Sequence, residues 1–186
     1  MDTPQTKKNL FLVIDQGTSS TKSFLFDTQG ALLLSDKIKH SLNKPAPYYV
    51  ECDPLHILNA CESLIEQSQL YATKQGYNIR SMGLAVQRST FLFWDKYSLE
   101  PRTQALSWQD SRAATLLKNF KSYRNEIVRL TGSPLSAHFG GPKFLHCIKE
   151  NLSLKKDVQS GNLLFGPLSA FLTHVLTGRP NIDESI

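Results

Sequence analysis

Asp15-Gln16-Gly17-Thr18-Ser19-Ser20-Thr21-Lys22 gathers a carboxylate, a permissive glycine, a run of hydroxyls and a cation within one short stretch. Backbone N–H groups around a glycine turn, joined by side-chain hydroxyls, make a concave donor surface that suits phosphate oxygens. Gly17, Thr18, Ser19 and Ser20 would form that surface, and Lys22 would add positive charge. Asp15 is the candidate metal ligand, because Mg²⁺ takes one or two carboxylates together with phosphate oxygens. A Ser/Thr-rich turn capped by its own side chains uses the same residue types, so both readings stand on composition alone.

A second group follows later in the chain. Gln87-Arg88-Ser89-Thr90 is a polar turn between two apolar runs, and such turns expose their side chains at sheet ends. The planar fork of Arg88 can donate two parallel hydrogen bonds to a polyol. A solvated arginine at a hairpin tip is the alternative. Trp108 offers an apolar wall for the carbon face of a small polyol, or is a core tryptophan. Asp110 caps a helix over 111–120, or contacts substrate or metal.

The elements that position these residues follow from patterning. The five apolar residues 10–14 read as a strand buried on both faces. A second strand carries Phe24 and Phe26 on one face with Lys22 nearer the turn, and a third begins at 31–34, giving an antiparallel meander. Residues 43–47 form a proline-rich loop. Asp53 and Pro54 open a helix to about Gln75, with Ile57, Leu58, Cys61, Leu64, Ile65, Ser68 and Ala72 on its buried face and Gly76 as its stop. Residues 79–86 alternate as a strand whose small face (Ser81, Gly83, Ala85) allows a helix to approach closely. Strands are expected over 91–95 and 103–108. Helices are expected over 111–120, 126–130, 142–150 and from Pro167 to Gly178, the last burying Leu168, Phe171, Leu172 and Val175.

The motif at 15–22 resembles the first phosphate motif of the FGGY carbohydrate kinases, nearest to the glycerol kinase branch, where it runs Asp-Gln-Gly-Thr-Thr-Ser-Ser-Arg. Further similarities follow in order. Val50, Glu51, Asp53 and Pro54 match Gly-Trp-Val-Glu-His-Asp-Pro. Gln87, Arg88 and Thr90 match Asn-Gln-Arg-Glu-Thr, Trp108-Gln109 and Arg112 match Trp-Gln-x-x-Arg, and Gly132, Phe139, Gly141 and Lys143 match a later stretch. Gly161-Asn162-Leu163-Leu164-Phe165-Gly166-Pro167 is similar to the family's Leu-Leu-Phe-Gly before its next helix. The resemblance implies an α/β domain of the ribonuclease H-like, actin and hexokinase type, with a mixed sheet and flanking helices. It also implies ATP and Mg²⁺ as cofactors and phosphoryl transfer to a sugar hydroxyl.

In that family the arginine at 88 is carried as a glycerol ligand, with a glutamate at 89 and a tyrosine at 138. Here those positions are Ser89 and His138. The implied substrate site is Gln87, Arg88, Ser89, Trp108 and His138, and its loss of a carboxylate argues for a larger polyol or sugar in place of glycerol. A surface histidine without a ligand is the other reading of His138. The catalytic base, in a Gly-Asp-Gln setting, and the adenine pocket fall beyond Ile186 in the family. The expected organisation is therefore a flexible tail over 1–8 and an N-terminal, sugar-binding kinase domain over 9–186, truncated at its C-terminal end and inactive alone.

Bulk properties set the outer limits. The 186 residues suit one domain, and the formal charge of +5 arises between Lys118 and Asp157, a stretch that reads as a solvated helical surface. Few aromatics interleave those cations, which argues against a nucleic-acid partner. No run approaches a membrane span, and the polar start has no signal-type core, so a cytoplasmic protein without a membrane partner is expected, a homodimer or tetramer when full-length. Cys52, Cys61 and Cys147 lack metal-ligand spacing and read as buried free thiols. Two other classes remain. One is a non-catalytic sugar-binding module or pseudokinase. The other is a nucleic-acid enzyme of ribonuclease H type, which needs several carboxylates for two metals; 79–86 and its exit supply none.

Overall fold

The computed structural model describes residues 8–183, so the tail expected over 1–8 lies, Lys8 apart, outside the described residues. The chain forms two compact units, one from 8–41 and Leu55–Gln87, the other from Leu42–Pro54 and 88–183.

The first unit is built on a mixed sheet. β1 (Asn9–Gln16) pairs antiparallel with β2 (Ser20–Phe26), and β2 with β3 (Leu32–Lys39), as the meander pattern predicts. β5 (Asn78–Val86) pairs parallel with β1, giving the order β3-β2-β1-β5. The crossover between β1's meander and β5 is α1 (Pro54–Lys74), which begins at the expected proline. It ends at Gly76, whose φ of +71° and bonds Gly76 N–H to Thr73 O and Tyr77 N–H to Ala72 O close the last turn. Ile57, Cys61 and Leu64 are buried on its inner face.

Burial of β1 on both faces is not what the structure shows. Leu10, Leu12 and Ile14 are buried, whereas Phe11 is exposed and Val13 half-buried. α1 covers one face only. The register Phe11–Phe26 and Val13–Phe24 leaves an aromatic opposite face without cover among the described residues. The small face of β5 is likewise open, since nothing lies within 4 Å of where a Cβ on Gly83 would stand.

The second unit holds a separate sheet of order β4-β7-β6-β8, from β4 (Glu51–Cys52), β7 (Ala105–Leu106), β6 (Phe91–Asp95) and β8 (Leu163–Pro167). β5 and β6 therefore belong to different sheets, and the Arg88 turn is not a hairpin tip. The strand expected over 103–108 shrinks to two residues because its flanks bond elsewhere. Thr103 Oγ1 accepts from Phe93 N–H, Ser107 N–H donates to Val50 O, and Trp108 N–H donates to Thr90 Oγ1. The helix expected over 111–120 is two 3-10 segments, Arg112–Ala114 and Leu116–Tyr123, with no side-chain cap. Asp110 is turned instead to Val50 N–H and to Arg112.

α2 (Arg124–Thr131) stops at Gly132 (φ +68°), and α3 (Gly140–Glu150) starts two residues before the expected position. α4 (Leu152–Gln159), capped by Asn151 Oδ1 accepting from Leu154 N–H, was not legible from the pattern. α5 (Leu168–Thr177) follows β8, with Pro167 as its N-cap and not its first turn, and ends at Gly178 (φ +76°). Leu168, Phe171 and Leu172 are buried as expected. Phe93 stacks on Phe144, and Phe165 packs tilted and edge-on against the two, while buried Trp94 donates its Nε1–H to His174 Nδ1 at 3.0 Å, so its polar edge is satisfied.

Candidate functional site

In the first unit the β1–β2 connection is a tight turn. Gly17 N–H donates to Ser20 O at 2.9 Å, and a Cβ on Gly17 would stand 3.3 Å from that oxygen, which explains a small residue there. Gln16 Nε2 donates to Gly17 O, Gln87 Nε2 donates to Gln16 Oε1, and the Thr18 hydroxyl donates to Gln87 Oε1. Gln87 thus braces the turn. Ser19 is exposed and Thr18 half-exposed, while Ser20, expected with them on the phosphate surface, is buried, as is Thr21. Thr21 Oγ1 lies 2.7 Å from His40 Nε2, on the side facing α1.

Asp15 Oδ2 and Lys22 Nζ sit directly across the β1–β2 ladder and pair at 3.2 Å, both about two-fifths exposed. A pair this open contributes at most about 1 kcal/mol, so a phosphate can draw Lys22 away at little cost. One accessible carboxylate beside a turn of backbone donors fits Mg²⁺ held jointly with nucleotide phosphate oxygens. Among the described residues no group of three or more His, Cys, Asp or Glu could hold a metal by itself.

In the second unit Arg88, Ser89, Trp108 and His138 line one open cleft of about 370 Å³. Four of the five substrate residues expected from sequence meet there, and the fifth, Gln87, serves the turn described above. Trp108 is 44% exposed and is not a core residue. Ser89 holds a left-handed backbone (φ +57°), unusual for a residue with a Cβ. His138 Nδ1 lies 2.9 Å from the carbonyl of Trp108. A carbonyl only accepts, so Nδ1 carries a proton, and in the uncharged ring Nε2 is then an acceptor.

Lys143, which the sequence marks only by its match to the family stretch, also belongs to this site. It is completely buried. Its Nζ donates to Ser89 O at 3.0 Å and Ser107 O at 2.7 Å, and lies 5.8 Å from the centroid of the Phe91 ring. Burial brings its pKa down to about 8. α3 reaches this position because Gly140 lies against Phe91: a Cβ there would come within 2.7 Å of the ring. A lysine four residues before Cys147 on an otherwise apolar stripe was the available signal. The other seven cations between Lys118 and Asp157 are exposed, so the solvated-surface reading holds for them and not for Lys143.

Behind the cleft, buried Asp110 takes three hydrogen bonds from the Arg112 side chain, whose Nη2 also donates to Glu51 Oε1 at 2.6 Å. The guanidinium stacks on Tyr49, 3.9 Å from the ring centroid. Asp110 is thus committed to holding the chain after Trp108, not to a metal. A larger cavity of about 640 Å³, lined by Leu116, Phe120, Leu145 and Phe165 among others, is apolar. A polyol there would lose its hydration with little to replace it.

The mixed sheet with its flanking helices defines an α/β domain of the ribonuclease H-like, actin and hexokinase type. The model of the FGGY family of carbohydrate kinases, N-terminal domain, matches residues 10–186, and the chain belongs to this family. It is 32% identical over 170 residues to the glycerol kinase of Beijerinckia indica, covering 90% of this chain and 34% of that protein. The Plasmodium falciparum glycerol kinase solved with ADP superposes with a TM-score of 0.86 at 28% identity, over 93% of this chain and 35% of that one. Gluconate kinase from Lactobacillus acidophilus shares the fold at 21% identity, with a TM-score of 0.79 over 94% of this chain and 34% of that one. The chain thus spans about a third of the length of the relatives it matches. No helix among the described residues is long and apolar enough to cross a membrane.

Proposed function

We propose that this chain is the substrate-binding part of an ATP-dependent carbohydrate kinase, and that its cleft takes a polyol or sugar larger than glycerol. The observation that carries the reading is the meeting of Arg88, Ser89, Trp108 and His138 in one cleft, whose volume lies near the lower end of the roughly 300–1,000 Å³ of small-molecule sites. The Arg88 fork donates to neighbouring hydroxyls, Trp108 covers a carbon face, and His138 Nε2 with the Ser89 hydroxyl accepts from hydroxyl protons. Serine in place of glutamate, and histidine in place of tyrosine, leave more room and less negative charge. Glycerol is the competing substrate, favoured by the glycerol kinases among the relatives.

The Gly17–Ser19 turn and Lys22 would hold the phosphate end of a nucleotide, and Asp15 would hold Mg²⁺, which when bound spreads the charge of the transferring phosphoryl group. The chain's own part is to orient the sugar and to present phosphate donors. The base that takes the hydroxyl proton is not among its assigned residues, and the isolated chain should bind sugar without turning over ATP. Calorimetric titration with glycerol, xylitol, D-xylulose and gluconate tests this. Binding of one of the larger compounds at least tenfold tighter than glycerol supports the reading. Glycerol binding as tightly as all of them contradicts the substrate assignment, and no binding at all contradicts the site.

A further inference from the structure

We propose that Lys143 is a positioning residue that sets the separation of the two walls of the cleft, and through it the choice between three-carbon and longer polyols. This rests on the cleft being the sugar site. The two hydrogen bonds of Lys143 Nζ go to the carbonyls of Ser89 and Ser107. Ser89 lines the cleft beside Arg88, and Ser107 immediately precedes Trp108. One buried amine therefore spans the two loops that carry the Arg88–Ser89 wall and the Trp108 wall, from an element, α3, that lines neither.

The rest of the arrangement fixes the same two segments. Thr90 Oγ1 accepts from Trp108 N–H, and His138 Nδ1 donates to Trp108 O. Ser89 holds a left-handed conformation that its side chain disfavours, and such a conformation persists where surrounding contacts fix it; the bond from Lys143 to its carbonyl is one of them. Packing alone does not call for a lysine here. A methionine fills a similar volume without desolvating an amine, and the nearby carboxylate of Asp110 is already engaged by Arg112. The downward pull of burial on the lysine pKa agrees with a group held for its hydrogen bonds and not for its charge.

The chain has two tryptophans, Trp94 and Trp108, so 5-fluorotryptophan labelling gives two ¹⁹F resonances, assigned with Trp108→Phe. In Lys143→Met the Trp108 resonance of the ligand-free protein should move while that of Trp94 stays, and the xylitol-to-glycerol affinity ratio should fall at least fivefold. Lys143→Arg, which keeps two donors, should recover part of both. A folded Lys143→Met with an unmoved Trp108 resonance and an unchanged ratio overturns the proposal. If Lys143→Met does not fold, ¹⁵N-lysine spectra of the unaltered chain decide. Exchange-protected Nζ protons on one lysine, lost in Ser89→Pro but not in Arg80→Ala, support the bridge, and rapid exchange at every lysine refutes it. Absence of polyol binding by the unaltered chain would refute the sugar site itself, while the ligand-free Trp108 resonance would still judge Lys143.

Discussion

His138 Nδ1 stands 2.9 Å from the main-chain oxygen of Trp108, a geometry that leaves Nε2 as the ring's remaining polar atom. In the neutral ring that atom can only accept, so His138 brings one hydrogen-bond acceptor to the cleft. Two positions that differ from the glycerol kinase pattern, Ser89 and His138, thus line one cleft.

Restoring the pattern should restore the preference. The double substitution Ser89→Glu with His138→Tyr is expected to tighten glycerol binding by about tenfold relative to xylitol, the equivalent of roughly 1.4 kcal/mol. Calorimetric affinities of both compounds for the two single variants and the double variant measure this. Unchanged ratios would mean that neither position selects the substrate.

Trp108→Ala should weaken binding of every polyol by about 1–2 kcal/mol, since it removes the apolar wall and not a particular hydroxyl contact. Stability should change little, because the side chain is exposed. Urea unfolding alongside the titrations separates the two effects.

Arg112→Met has the opposite character. It leaves the fully buried Asp110 carboxylate without its cation, and loss of one partner of a buried pair costs about 3–5 kcal/mol. The substitution should lower the urea midpoint strongly. Asp110→Asn with Arg112→Met should recover part of the loss, because the fully buried carboxylate is then uncharged and only the partly exposed Glu51 is left without its cation.

Stability at alkaline pH should pass through a maximum near pH 9. Burial lowers Lys143 to about 8, below its usual value of 10.5, so between these values the unfolded chain binds more protons and stability rises with pH. Burial raises Cys52 to about 12 and Cys61 and Cys147 to about 11, from a usual 9.0. Above pH 9 the folded state therefore holds the extra protons, and the three thiols together reverse the slope. Urea midpoints from pH 7.5 to 10.5 should rise and then fall, and Lys143→Met should remove the rising limb. The cleft itself should keep its shape across this range, because a neutral amine still has two N–H groups for Ser89 O and Ser107 O.

The first unit was legible because its signals are local. A turn at Gly17, alternation in β2 and the α1 stop at Gly76 each act within a few residues. Burial of β1 was misread because an unbroken apolar run says nothing about whether a second layer covers Phe11 and Val13. In the second unit the decisive bonds join distant residues. Val50 and Asp110, Thr90 and Trp108, and Lys143 with Ser89 and Ser107 are paired by tertiary structure that no spacing rule reports. These bonds shortened the strand expected over 103–108 and kept Asp110 from capping a helix. The cleft was approachable from motif resemblance, whereas the residue that braces it looked like one more surface cation.

The decisive measurement is a crystal structure of the chain grown with xylitol. The polyol should lie in the cleft, its carbon face on Trp108, hydroxyls on the Arg88 guanidinium and one hydroxyl donating to His138 Nε2. Xylitol seated elsewhere, with Arg88, Trp108 and His138 untouched, would contradict the assignment of the cleft as the sugar site.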